Sequence, residues 1–141
     1  MAQSLLLEGL TISGNSVSAA VCILSADQLV SEELAKTILT LRPTLAEHTC
    51  KHRGFGYFGD KLIGTALPHL VEHLAIDFLV ETACQDTGDD GVVAGTTRWL
   101  DRQQAMMQVR ISSATQSTDE ICTAISNAVV LVNSLLDELV W

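Results

Sequence analysis

Gly64-Thr65-Ala66-Leu67-Pro68-His69-Leu70-Val71-Glu72-His73-Leu74-Ala75-Ile76-Asp77-Phe78-Leu79-Val80-Glu81 reads as a helix, and the two pairs of strand-like runs on either side of it decide the fold. Thr65 is placed to cap the helix through its hydroxyl. Pro68 falls in the first turn, where a missing N–H costs little. Leu67, Leu70, Val71, Leu74 and Phe78 recur at helical spacing and form an apolar stripe. At about 100° per residue, His69 and His73 project within about 40° of each other, away from that stripe. Ile76 and Val80 continue the histidine side, so that side is expected to be partly buried as well.

Leu5–Ile12 and Val17–Leu24 are strand-like runs joined by Ser13-Gly14-Asn15-Ser16, a hairpin connection. The second run is apolar on both faces, which fits a central strand. Ser25-Ala26-Asp27-Gln28 has the form of a capping box, followed by Leu29, Leu34, Ile38 and Leu41 at helical intervals and a stop before Pro43. Residues 43–64 read as a long glycine- and histidine-bearing loop, of the kind that rims an active site. Gln85 to Gly91 reads as an acidic turn whose pattern does not match a calcium loop.

Val92–Trp99 and Ala105–Ile111 form a second strand pair, the latter alternating core and wet faces. Ser117-Thr118-Asp119-Glu120 is another capping box, opening a terminal helix whose stripe is Ile121, Ile125, Ala128, Val132, Leu135 and Leu139. The fold class expected is α+β: one domain over 1–141, an antiparallel sheet of about four strands with three main helices packed on it.

A chain of 141 residues with 48% hydrophobic content can bury a sizeable core. Its net charge of −9 argues against a nucleic-acid partner, whose phosphates demand a basic face. The four cysteines, Cys22, Cys50, Cys84 and Cys122, form no Cys-x-x-Cys pair and read as free thiols of a reducing compartment. The N-terminus lacks a basic leader, and no uninterrupted apolar run approaches a membrane span, so a cytoplasmic protein without a membrane partner is expected. The terminal helix has more apolar surface than one packing face uses. A homo-oligomer with Val130 to Trp141 at its interface is therefore expected.

The chemistry-bearing motif is His69-x-x-Glu72-His73. This is the inverted zinc-hydrolase signature, in which the histidines hold the metal and the glutamate activates water. A catalytic zinc takes three protein ligands. His48-Thr49-Cys50-Lys51-His52, just upstream, offers candidates for the third. The rival reading is a noncatalytic binding or assembly module whose histidines are structural.

Several short elements in order carry a family resemblance. They are Leu41-Arg42-Pro43, Glu47-His48-Thr49-Cys50, Gly54 to Gly59, Gly64-Thr65, His69 to His73 with Ala75, and Gly95-Thr96-Thr97-Arg98. Together they resemble the amino-terminal domain of cyanophycin synthetases, most closely from Leu39 to Glu81 and least in the first hairpin. The stretch Asp77 to Glu81 departs from the family's usual continuation.

In the full synthetases this domain precedes an ATP-grasp and a Mur-ligase-like module. Neither fits in 141 residues, so polymer synthesis is not expected of this chain. The resemblance implies a zinc-dependent amide hydrolase that trims a cyanophycin-like polymer or other peptide, or a domain that holds polymer. It makes Glu72 the general base and His69, His73 and His48 the metal ligands, with Cys50 and then Glu120 as alternatives for the third. Arg98 is the candidate to dock a substrate carboxylate.

Overall fold

The computed structural model describes residues 3–50, 54, 56–87 and 93–139. Lys51, His52, Arg53 and Phe55 of the glycine-rich loop, residues 88–91 of the acidic turn, Val92, Val140 and Trp141 lie outside them.

Strands β1 (Leu5–Ser13) and β2 (Ser16–Ile23) form the first hairpin. Ser13 pairs with Ser16, and Gly14 takes a φ of 61° in the two-residue turn between them, a left-handed conformation that glycine adopts without strain. Helix α1 (Glu32–Leu41), a 3-10 turn (Pro43–Glu47), the short strands β3 (Thr49–Cys50) and β4 (Gly56–Tyr57) and helix α2 (Phe58–Lys61) follow. Then come α3 (Leu67–Thr87), β5 (Val93–Asp101), β6 (Met106–Ser113) and α4 (Thr118–Leu139). The main sheet has the order β1-β2-β6-β5, antiparallel throughout. The expected α+β class holds, and the run that is apolar on both faces is an inner strand.

Alternation sorts the sheet into two faces. Val17, Ala19, Val21, Ile23, Met107, Val109 and Ile111 are buried on the face that α3 and α4 cover. α3 lies over β5 and β6, α4 over β1 and β2, and the two helices pack against each other. α4 is long and apolar enough to cross a membrane by length and composition alone. It is a core helix of this domain, with Ile121, Ala124, Ile125, Ala128, Val129, Val132 and Leu135 buried. Asn133 of α4 pins the start of β1, accepting from the Ser4 and Leu5 amides and donating to the Leu5 carbonyl.

The capping box at Ser117 forms as expected: its hydroxyl accepts the Glu120 amide at 3.1 Å, while Glu120 reaches back to the Ser117 amide. The one at Ser25 does not. Its hydroxyl donates to the Asp27 carbonyl, Asp27 folds onto the Leu29 amide, and the helix starts a turn later with Ser31 capping Leu34. Asp27 competes for the local backbone donors and makes a turn where a helix was expected. Leu29 and Leu41 are accordingly exposed, while Leu34 and Ile38 carry the buried stripe.

The loop expected over 43–64 is instead organised by the 3-10 turn, β3, β4 and α2. α3 also continues through Gln85 to Thr87, where a turn was expected.

Candidate metal centre

Five of the seven buried polar or charged side chains among the described residues lie within one helical stretch: Thr65, His69, Glu72, His73 and Asp77. Thr65, His69, His73 and Asp77 are spaced four apart, so they form a single row drifting slowly around α3. The opposite side, Leu67, Leu70, Val71 and Leu74, is buried in the core. α3 is thus buried nearly all round at this level, and its polar row faces Thr44, His48, Cys50 and Phe58.

The helix start frees Thr65 for a role other than the expected cap. The Leu67 amide donates to the Gln28 carbonyl, Pro68 has no N–H, and the His69 amide donates to the Ala66 carbonyl. With the first-turn donors satisfied by backbone, the Thr65 hydroxyl lies 2.7 Å from His69 Nδ1 and orients that ring. The other ring nitrogen, Nε2, faces Cys50 Sγ at 3.6 Å. Cys50 is brought there by the β3–β4 pairing, and Lys61 fastens the segment by donating to the Cys50 and Gly54 carbonyls.

Cys50, His69 and His73 each present one ligand atom, all within 4.8 Å of one another, and the three are 7%, 8% and 4% exposed. This buried group could hold a metal ion. One thiol and two imidazoles suit a soft or borderline divalent cation. Burial, together with the neighbouring His69 and His48 rings, pushes the His73 imidazole down to about 3, so it stays neutral with a lone pair available. Phe58 stacks on His73 at a centroid distance of 3.8 Å and meets His69 edge-on, which fixes both rings.

Glu72 lies beside this group. Its Oε1 accepts a 2.6 Å hydrogen bond from Thr97 of β5, while Oε2 stands 3.6 Å from His73 Nε2. Burial is the main cause that pushes its carboxyl up to about 7, against the opposing pull of the Thr97 hydrogen bond and the His48 ring.

The other expected site residues fall in different places. His48 does not join the three grouped donors; it lies behind His73, Nδ1 to Nδ1 at 3.1 Å, with its Nε2 3.1 Å from Asp77 Oδ1. Glu120 is occupied by its capping box. Arg98 is on the exposed face of β5, its Nε donating to Gln108, and is not brought to the cluster.

Asp77 is the residue that sequence reasoning missed, noted only as a departure from the family pattern. It accepts from Arg42, Thr44 and His48. Burial raises its carboxyl, but hydrogen bonds from His48, Thr44 and Arg42 outweigh that and hold it below the usual carboxylate range. The signal was available: an acid four residues beyond His73 on a buried helix face needs partners.

No curated protein and no solved structure matches the chain. Residues 23–137 match the family described as the cyanophycin synthase-like N-terminal domain, a span that covers α1 to α3, the sheet from the end of β2 onward and nearly all of α4. With the ordered elements from Leu41 to His73 assembled around one buried cluster, the chain belongs to the cyanophycin synthase-like N-terminal domain family.

Proposed function

We propose that this domain is a zinc-dependent hydrolase of amide bonds, with His69, His73 and Cys50 as the protein ligands and Glu72 as the general base. The observation that carries it is the placement of the Glu72 carboxylate beside a buried Cys-His-His donor set without belonging to it. Three protein donors of this kind leave one zinc position for water or substrate, as catalytic sites do. When bound, zinc supplies Lewis acidity toward a carbonyl and toward water.

The chain's own residues supply the rest. Thr97 holds one Glu72 oxygen, leaving Oε2 to accept a proton from water as the water oxygen attacks the carbonyl carbon. The same proton then passes to the amide nitrogen as the C–N bond breaks. The substrate class is a peptide or a cyanophycin-like polymer of aspartyl and arginyl units, which the acidic surface suits.

A second reading has an observation in its favour. His69, Glu72 and His73 are at most 8% exposed and Phe58 covers one face of His73, as in a structural centre of a noncatalytic polymer-binding module.

The experiment is elemental analysis of the purified protein beside cleavage of an arginine-rich aspartyl polymer, for the parent and Glu72→Gln. The hydrolase reading expects bound zinc in both and a loss of about 10²–10⁴-fold in rate for Glu72→Gln. Zinc without turnover in the parent leaves the binding module; no divalent metal in the parent removes the metal reading altogether.

A further inference from the structure

We infer that Asp77 and His48 are positioning residues that fix the proton of His73 on Nδ1 and so keep its Nε2 lone pair directed at the ion site; the inference rests on the metal reading just given.

The argument follows the hydrogen bonds in one direction. The Asp77 carboxylate is an acceptor only: Arg42 donates to its Oδ2, and Thr44 donates to Oδ1, the same oxygen that faces His48 Nε2. His48 Nε2, 3.1 Å from Oδ1, must therefore carry a proton and donate. A neutral imidazole with a proton on Nε2 has a lone pair on Nδ1. That lone pair faces His73 Nδ1 at 3.1 Å, so the proton between the rings belongs to His73. The remaining nitrogen, His73 Nε2, is then unprotonated, and it is the atom turned toward the Glu72 side of the cluster.

His69 is tied differently. Its partner is the Thr65 hydroxyl, which can donate or accept and so orients the ring without dictating its proton. The Asp77–His48 chain ends on a carboxylate, a group that cannot donate. An outer partner that fixes a ligand histidine typically contributes about 10–100-fold in metal affinity.

The test uses the full chain and three variants: Asp77→Asn, His48→Phe and, as a control for Asp77 packing, Thr44→Val. Long-range ¹⁵N–¹H correlation spectra of the metal-free proteins read the His73 tautomer, competition titration reads zinc affinity, and circular dichroism verifies the fold. In the parent, His73 is expected wholly in the Nδ1–H form. In Asp77→Asn, Arg42 draws the amide oxygen and the amide NH₂ turns to His48 Nε2. The chain of donors then reverses and His73 moves to the Nε2–H form. His48→Phe removes the constraint and gives a mixture.

Both variants are expected to weaken zinc binding about 10–100-fold, while Thr44→Val stays within about threefold. The inference is overturned if the parent His73 carries its proton on Nε2, or if a folded Asp77→Asn leaves the tautomer unchanged. It is likewise overturned if zinc binds the parent and both variants equally. A parent that takes up no zinc defeats the proposed function instead, and the relay is then decided by the tautomer alone.

Discussion

A β-carbon placed on Gly95 would lie 2.9 Å from Glu72 Cγ and 3.0 Å from its Oε2, so β5 closely approaches α3 where Glu72, the proposed general base, sits. Ile76 Cδ1 closes the same gap at 2.9 Å. The glycine sets how near Thr97, two residues on, can come to the carboxylate. Replacing Gly95 by alanine should cost about 1–3 kcal/mol, because the interior cannot open by a methyl group without moving the helix. Urea unfolding measures that loss. Bound zinc should be retained, since the atoms nearest the added methyl belong to Glu72 and Ile76 and not to a donor, while hydrolysis should fall with the displacement of Glu72.

Removing a donor should act on metal content rather than on fold. His69→Ala and His73→Ala are expected to leave the protein with substoichiometric zinc after dialysis, because two donors make a weak, open site. Cys50→Ser should do the same and should also abolish the near-ultraviolet thiolate charge-transfer band of the cobalt-substituted protein. If that band is absent from the parent, Cys50 is not a ligand.

Acid should dissect the Asp77 network. Its folded pKa is held below the unfolded value of 3.8, so the stability it contributes is present above that pH and is lost as pH falls through the lower folded value. Asp77→Asn is expected to lose roughly 3 kcal/mol at pH 7, from a buried charge network deprived of one partner. The gap to the parent should narrow when the same denaturation is measured near pH 3. A constant gap at both pH values would mean that the carboxylate charge contributes nothing.

Asn133 makes a prediction remote from the site. Its amide serves two backbone donors and one acceptor at the start of β1. Asn133→Ala should destabilise by about 1–3 kcal/mol, and hydrogen exchange at the Leu5 amide should quicken more than exchange at the centre of β2.

What could be read in advance had long-range periodicity behind it. The 2-residue alternation of Ala105 to Ser112 and the 3.6-residue stripe of Leu67 to Leu74 depend on many residues at once, so the sheet, α3 and the His69–Glu72–His73 face were legible. Features settled by competition between neighbours were less so. Ser25 and Ser31 both precede helix-like sequence, and Asp27 decided between them by closing a turn. Thr65 was legible as a cap only so long as the Gln28 carbonyl, distant in sequence, was left out of account. In the sequence His48 stands ahead of Cys50 because the family element sets it beside the site and imidazole suits zinc. His48 closes the 3-10 turn just before β3 and reaches Asp77, whereas Cys50, paired in β3, reaches the cluster. Arg98 lies away from the cluster for the plainer reason that Thr97 beside it faces the helices, and neighbouring strand residues point oppositely.

The sheet has one further property, seen in its register. β1 slips between Leu7 and Gly9, and β5 slips between Trp99 and Asp101, while the pairing of β2 with β6 runs without a break. The irregularities therefore fall on the two outermost strands. A bare strand edge is a template on which another chain can add, and a continuous one can recruit copies without limit. A bulge kinks that template and increases its local twist, so an incoming strand could match only a few residues before losing register. The acids at the two slips, Glu8 and Asp101, add like-charge repulsion between approaching copies. The architecture that holds Glu72 against β5 is thereby protected from growing into a fibre along its own outer strand.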